Sequence, residues 1–187
     1  MSPFSVLLFL LQLCCLQMML VSMPICMLPG KVVKETHQQL RDLGRQIPTH
    51  CQEPNSEIHF PDSALFATST THDRCRWTSL VVYECLRGAG LIFAEYELPE
   101  GESGVTWSEQ KLDVYLNLQD RLVEGHQCLN TSEASGVLSP YFQNVTAVID
   151  QQDGSACGWE ILRSDLLRVL RITLYRDRNC FNWTRAH

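Results

Sequence analysis

The sequence predicts an all-α domain, and three observations predict it. Stretches with apolar residues at helical spacing recur about five times, and the one competing strand signal is Val81-Val82-Tyr83. A long polar connection from Thr49 to Pro61 follows the first stretch, and a connection of that length can carry the chain back to begin a parallel helix. Cys157-Gly158-Trp159-Glu160-Ile161-Leu162-Arg163 opens the last stretch, where a cysteine at the mouth of an amphipathic helix can pin it to a distant segment. Neither an internal repeat nor a low-complexity tract argues for another architecture.

The first helix is expected over Leu28 to Ile47, with Val33, Leu40, Leu43 and Ile47 apolar, Lys34, Glu35, Arg41 and Asp42 between them, and Pro48 closing it. The connection that follows holds Cys51, Pro54, Asn55 and Pro61 and reads as irregular. Thr71 to Ala94 is long enough for a helix burying Trp77, Leu80, Val81, Cys85, Leu86 and Phe93, although Gly88 and Gly90 weaken it. Leu98 to Gly104 is a loop. Thr106 or Ser108 caps the next helix, since Glu109 stands three residues after Thr106 at the spacing of a capping box. That helix carries Trp107, Leu112, Tyr115, Leu116, Leu118 and Leu122 to Cys128. Ser132 to Gly136 reads as a break. A further helix is expected over Pro140 to Gln151, with the proline in its first turn where it is tolerated. Asp153-Gly154-Ser155 turns the chain into the last helix, which lasts to about Arg178 with Leu162, Leu166, Val169 and Thr173 as its apolar stripe. Arg163, Arg168 and Arg171 lie off that stripe, so this helix can offer a basic face to a partner.

The first charged residue is Lys31, and Phe4 to Val21 is dominated by Leu, Phe, Met and Cys. This predicts a secretory signal over residues 1–23, cut between 22 and 25, with one helical domain over 24–187 and no membrane insertion after cleavage. A membrane anchor competes on length alone, but Cys, Gln and Ser inside the run and the lack of flanking positive charge oppose it. Three acceptor sequons, at Asn130, Asn144 and Asn182, agree with passage through the secretory route. A net charge of −6 excludes bulk attraction to nucleic acid or anionic lipid.

Catalytic patterns are missing from the sequence, with neither a phosphate loop nor a nucleophile elbow, and no cofactor is called for. Histidines 37, 50, 59, 72, 126 and 187 are scattered over different elements, so no metal site is expected. The cysteines carry more information. Once Cys14 and Cys15 leave with the signal, Cys26, Cys51, Cys75, Cys85, Cys128, Cys157 and Cys180 remain, an odd number that leaves at least one thiol free or intermolecular.

Tyr141-Phe142-Gln143 followed by the Cys157-Gly158-Trp159-Glu160 run, the interval from Trp107 to Cys128, and Cys51 with Phe60-Pro61 nearby together resemble the type I interferons. Gly158 stands where that family usually has alanine. The resemblance implies an up-up-down-down four-helix cytokine bundle with an additional helix and a long first crossover loop. It implies bridges Cys26–Cys128 and Cys51–Cys157, and in such a bundle Cys75 lies near Cys180, allowing a third bridge and leaving Cys85 as a buried small hydrophobe. It further implies a secreted monomeric ligand that joins two different chains of a heterodimeric class II cytokine receptor, triggering JAK-STAT signalling and an antiviral state. Receptor contacts would come from Arg163, Leu167 and Arg168 on the last helix and from Gln52 and Asn55 in the first loop, with both arginines exposed. Spacing alone favours a solvated face for those arginines, or their pairing with Glu160 or Asp165. Another class II helical cytokine, interleukin-10-like or type III interferon-like, is the alternative.

Overall fold

A computed structural model of the protein describes residue 12 and residues 26–45, 47–51, 58–66, 71–99, 104–151 and 155–184. Six helices account for most of them: α1 (Gly30–Leu43), α2 (Asp62–Phe66), α3 (Thr71–Glu95), α4 (Glu109–Gly125), α5 (Ser132–Ile149) and α6 (Ser155–Arg176). Single 3₁₀ turns follow at Thr49–Cys51, Gln127–Leu129 and Arg178–Cys180. Extended pairing among the described residues is limited to one parallel bridge between Pro29 and Asn182. The expected signal segment and its cut lie outside the described residues, apart from Gln12. No described helix is long and apolar enough to cross a membrane.

Three disulfides fix the direction of the bundle. Cys26–Cys128 ties the approach to α1 to the exit from α4, Cys51–Cys157 ties the exit from α1 to the first turn of α6, and Cys75–Cys180 ties the first turn of α3 to the segment after α6. Each bond therefore joins the start of one element to the end of another, so α1 and α3 point one way while α4 and α6 point the other. Helix α1 packs against α4 and α6, and α3 packs against α4, α5 and α6, which places α1 and α3 at opposite corners. The up-up-down-down order follows, with α5 as the additional helix against α3 and α6. Among the described residues Cys85 is the free cysteine, and it is buried.

Several boundaries differ from the sequence reading, each for a non-local reason. Helix α1 stops at Leu43 rather than Ile47, because Gly44 is extended and the Leu43 carbonyl accepts from the Ser108 N–H at 3.2 Å. Val81-Val82-Tyr83 is helical and fully buried, since α3 is covered on three sides. Ser108 occupies the N-cap of α4 without a side-chain capping bond, so the Thr106–Glu109 capping box does not form; tertiary contacts of Trp107 and Ser108 set the entry instead. Helix α5 begins at Ser132, and the expected break at Ser132–Gly136 is its opening turns. Pro140 is tolerated inside it because the proline and Gly136, whose carbonyl loses its partner, both face solvent. Helix α2, between the first connection and α3, is too short to show a helical period in the sequence.

The core is continuous. Trp159 is fully buried at its centre, with the Phe93 ring 4.7 Å and the Trp107 ring 6.3 Å away. Gly158, on α6, is where the chain departs from the family pattern, and the packing explains it: a Cβ there would lie 2.5 Å from Ile149 Cγ1 and 2.9 Å from the Ile149 backbone nitrogen.

Candidate functional site

The site grows out of the Trp159 turn. Glu160, one residue on, accepts from Trp107 Nε1 at 2.7 Å and from Arg163 Nε at 3.0 Å and Nη2 at 2.9 Å. Arg163 also donates to the Gly44 carbonyl at 3.4 Å and to the Arg45 carbonyl. Those carbonyls lie just past the end of α1 at Leu43, where a guanidinium also complements the negative end of the helix dipole. The exposure expected for Arg163 is therefore overturned: the residue is 3% exposed. A residue three positions from Glu160 and pointed at the end of a neighbouring helix is drawn inward, because its charge finds a carboxylate and two backbone acceptors there. Arg163 is a strut joining α1, α4's entry and α6 rather than a surface anchor.

Above this strut a groove runs between α1 and α6. Leu167 and Ile47 supply its apolar contacts, and Arg41, Arg45, Arg168 and Arg171 surround it with cationic groups. Arg168 is about one-third exposed at its side chain and pairs with Asp62 of α2, itself 66% exposed. His37 lies in the same groove, and burial first, then the nearby Arg41 and Arg171 guanidiniums, hold its imidazole below the ordinary value. Gln52 and Asn55 lie outside the described residues.

A second titrating group, Asp165, lies on the side of α6 that meets α5. Asp165 accepts from the Tyr141 hydroxyl at 3.0 Å, and burial pushes its carboxyl up to about 6, against the pull of that hydrogen bond and of Arg168. Phe60 stacks edge-on against Tyr141 at 5.1 Å, so the Tyr-Phe and Phe-Pro motifs meet at α5.

A second face lies across the bundle, on α3 and α5. Gly88 admits the Phe142 ring, whose Cε2 would lie 2.3 Å from a Cβ at that position. Leu91 beside it is 57% exposed and Val137 of α5 is 37% exposed. The sequon asparagines 130, 144 and 182 are all exposed, and Asn182 Oδ1 accepts from the Thr184 N–H at 3.0 Å and its hydroxyl at 2.6 Å. His50, Cys51 and Cys157 gather within metal-ligand distance, but both sulfurs are spent on the disulfide, so no thiolate is available to a metal.

Comparison with known proteins places this architecture. The interferon alpha/beta domain model matches residues 29–174. Interferon alpha-B of Bos taurus is 26% identical over 142 residues, which is 70% of this chain and 71% of the relative, and interferon alpha-1 of Bos taurus is 26% identical over the same shares. Zebrafish interferon 2 superposes with a TM-score of 0.66 at 25% identity, covering 80% of this chain and 99% of that chain. The matched span runs from the start of α1 nearly to the end of α6 and takes in the Trp107–Glu160–Arg163 strut, and the chain belongs to the interferon alpha/beta family.

Proposed function

We propose that this interferon family member is a secreted ligand that bridges two different chains of a class II cytokine receptor, so that JAK-STAT signalling and an antiviral state follow. It is a cytokine and not an enzyme. The observation that carries the reading is the groove between α1 and α6: an apolar centre at Leu167 and Ile47, ringed by arginines, on a chain whose net charge is −6. Such a surface draws an acidic partner locally while the rest of the molecule repels it, which confers orientation as well as affinity. Leu167 and Arg168 are its contacts on α6, and the family resemblance adds Gln52 and Asn55 from the loop after α1. The α3–α5 face, with its uncharged α5 side across the bundle, serves the second, weaker chain. Two surfaces of such different chemistry on one disulfide-tied scaffold suit a monomer that joins two unlike proteins.

Reporter cells lacking either receptor chain provide the test. Secreted protein should activate the reporter only where both chains are present, while binding to cells bearing the first chain alone persists. Full activation in cells lacking one of the chains would overturn the bridging mechanism.

A further inference from the structure

No Asp, Glu, Lys or Arg occurs between Glu133 and Asp150, so α5 has no charge on any face between its first residue pair and its end. One side is buried through Ala134, Leu138, Tyr141, Val145 and Ile149. The other side, with Val137, Pro140, Gln143, Asn144 and Ala147, is exposed. An exposed helix face without charge is unusual, because solvated faces are ordinarily where charged residues collect. Beside it runs a groove against α3, lined by Gly88, Leu91 and Phe142 and by Glu84, Arg87 and Glu95, so the charge of this region belongs to α3. Asn144 is the first residue of the sequon Asn144-Val145-Thr146, and it stands within this face.

We infer that Asn144 carries an N-linked glycan that covers the uncharged outer face of α5 and limits docking there. The masking part rests on the two-surface reading of function; the modification itself does not. The chemistry of the face fits its occupant: a neutral sugar presents C–H groups to Val137, Pro140 and Ala147 and hydroxyls to Gln143, and no charge on α5 has to be desolvated. In the transfer, Asn144 Nδ2 forms a bond to C1 of an oligosaccharide held on a lipid diphosphate. The C1–O bond to the diphosphate breaks, the amide proton passes to a base of the transferase, and the lipid diphosphate leaves. In the folded chain the Thr146 hydroxyl donates to the Phe142 and Gln143 carbonyls, both at 3.0 Å, so the hydroxyl that the sequon requires is engaged. Addition therefore precedes formation of α5.

The test uses the full chain secreted from eukaryotic cells. Enzymatic removal of the glycan in ¹⁸O-labelled water converts a glycosylated asparagine into labelled aspartate, and Asn144 should carry that label. Recovery of Asn144 as unmodified asparagine throughout the secreted protein overturns the proposal. For masking, wild-type protein is compared with its deglycosylated form and with Asn144→Gln. The expected result is a several-fold gain in signalling potency with unchanged affinity for the chain bound at the α1–α6 groove. Thr146→Ala removes the acceptor hydroxyl by a different substitution and should behave alike, which separates loss of the sugar from damage to the helix. Equal potency in all forms overturns the masking. Failure of every form to bind either receptor chain overturns both the masking and the receptor reading, with the occupancy at Asn144 left standing.

Discussion

The α1–α6 groove and the α3–α5 face are built on opposite principles. Beneath the groove lies a buried ionic strut in which Glu160 and Arg163 neutralise one another and reach Trp107 and the end of α1. On the face the Phe142 ring is seated against Gly88, and the ion pairs beside it, Arg76–Glu133 and Arg87–Glu84, draw every cation from α3. The groove is ringed by arginine, whereas the face has no charged residue on α5 between Glu133 and Asp150. A bundle can thus present two surfaces of unlike chemistry while sharing one core, because each surface is set by the helix ends and side chains locally beneath it.

The difference is open to attack from the most damaging change downward. Cys51→Ser opens the bridge that ties the exit of α1 to α6 across a sequence separation of 106 residues. The expected loss is on the order of 4 kcal/mol in the chain-entropy model, read by urea denaturation and by the amount secreted. Arg163→Ala leaves Glu160 buried without its counter-ion and frees the carbonyls just past the end of α1; a loss of about 3 kcal/mol or more is expected. Combined replacement of Glu160 by Gln and Arg163 by Met should recover part of that loss, since the pair is then removed rather than broken. An unfolding midpoint unchanged in Arg163→Ala would mean that the strut is not structural.

A smaller effect of opposite sign is expected at Asp165. Its carboxyl titrates near 6 in the folded protein and near the ordinary 3.8 when unfolded, so between those values the folded chain holds more protons. Its contribution to stability is therefore complete below about pH 4 and is lost as pH rises through 6. Asp165→Asn keeps an acceptor for the Tyr141 hydroxyl and should stabilise the protein at pH 7 by about 1 kcal/mol, less than the full linkage value because the site is partly solvated. Unfolding curves measured from pH 4 to 8 check it: the gain should fade toward the acidic end.

Most of the architecture was legible because it is periodic or covalent. The helical stripe of Leu162, Leu166 and Val169 faces the core, and the cysteines sit at element ends where bridges of the observed lengths can close. The direction of the helices then brought Cys75 to Cys180 and left Cys85 alone. The groove was only half legible. Spacing put Arg163 within reach of Glu160, and that pairing is the one the fold adopts; what spacing lacks is the Gly44 and Arg45 carbonyls, which lie more than a hundred residues away in the chain. The start of α5 at Ser132 was hidden for a related reason, since Gly136 and Pro140 disfavour a helix locally and the packing of Ala134, Leu138 and Tyr141 against the core offsets that cost. The uncharged run of α5 was visible as composition, but its meaning depends on which side of the helix is exposed.

In the proposed receptor reading α6 divides its labour, Arg163 holding the scaffold while Leu167 and Arg168 meet the partner. The most direct test measures first-chain affinity and the unfolding midpoint together for Arg168→Ala. Arg168 pairs with the exposed Asp62, so its removal should shift stability by well under about 1 kcal/mol. Binding should weaken by roughly tenfold, equivalent to about 1.4 kcal/mol. Wild-type affinity in this variant, or a fall in stability as large as that of Arg163→Ala, would overturn this division between scaffold and contact.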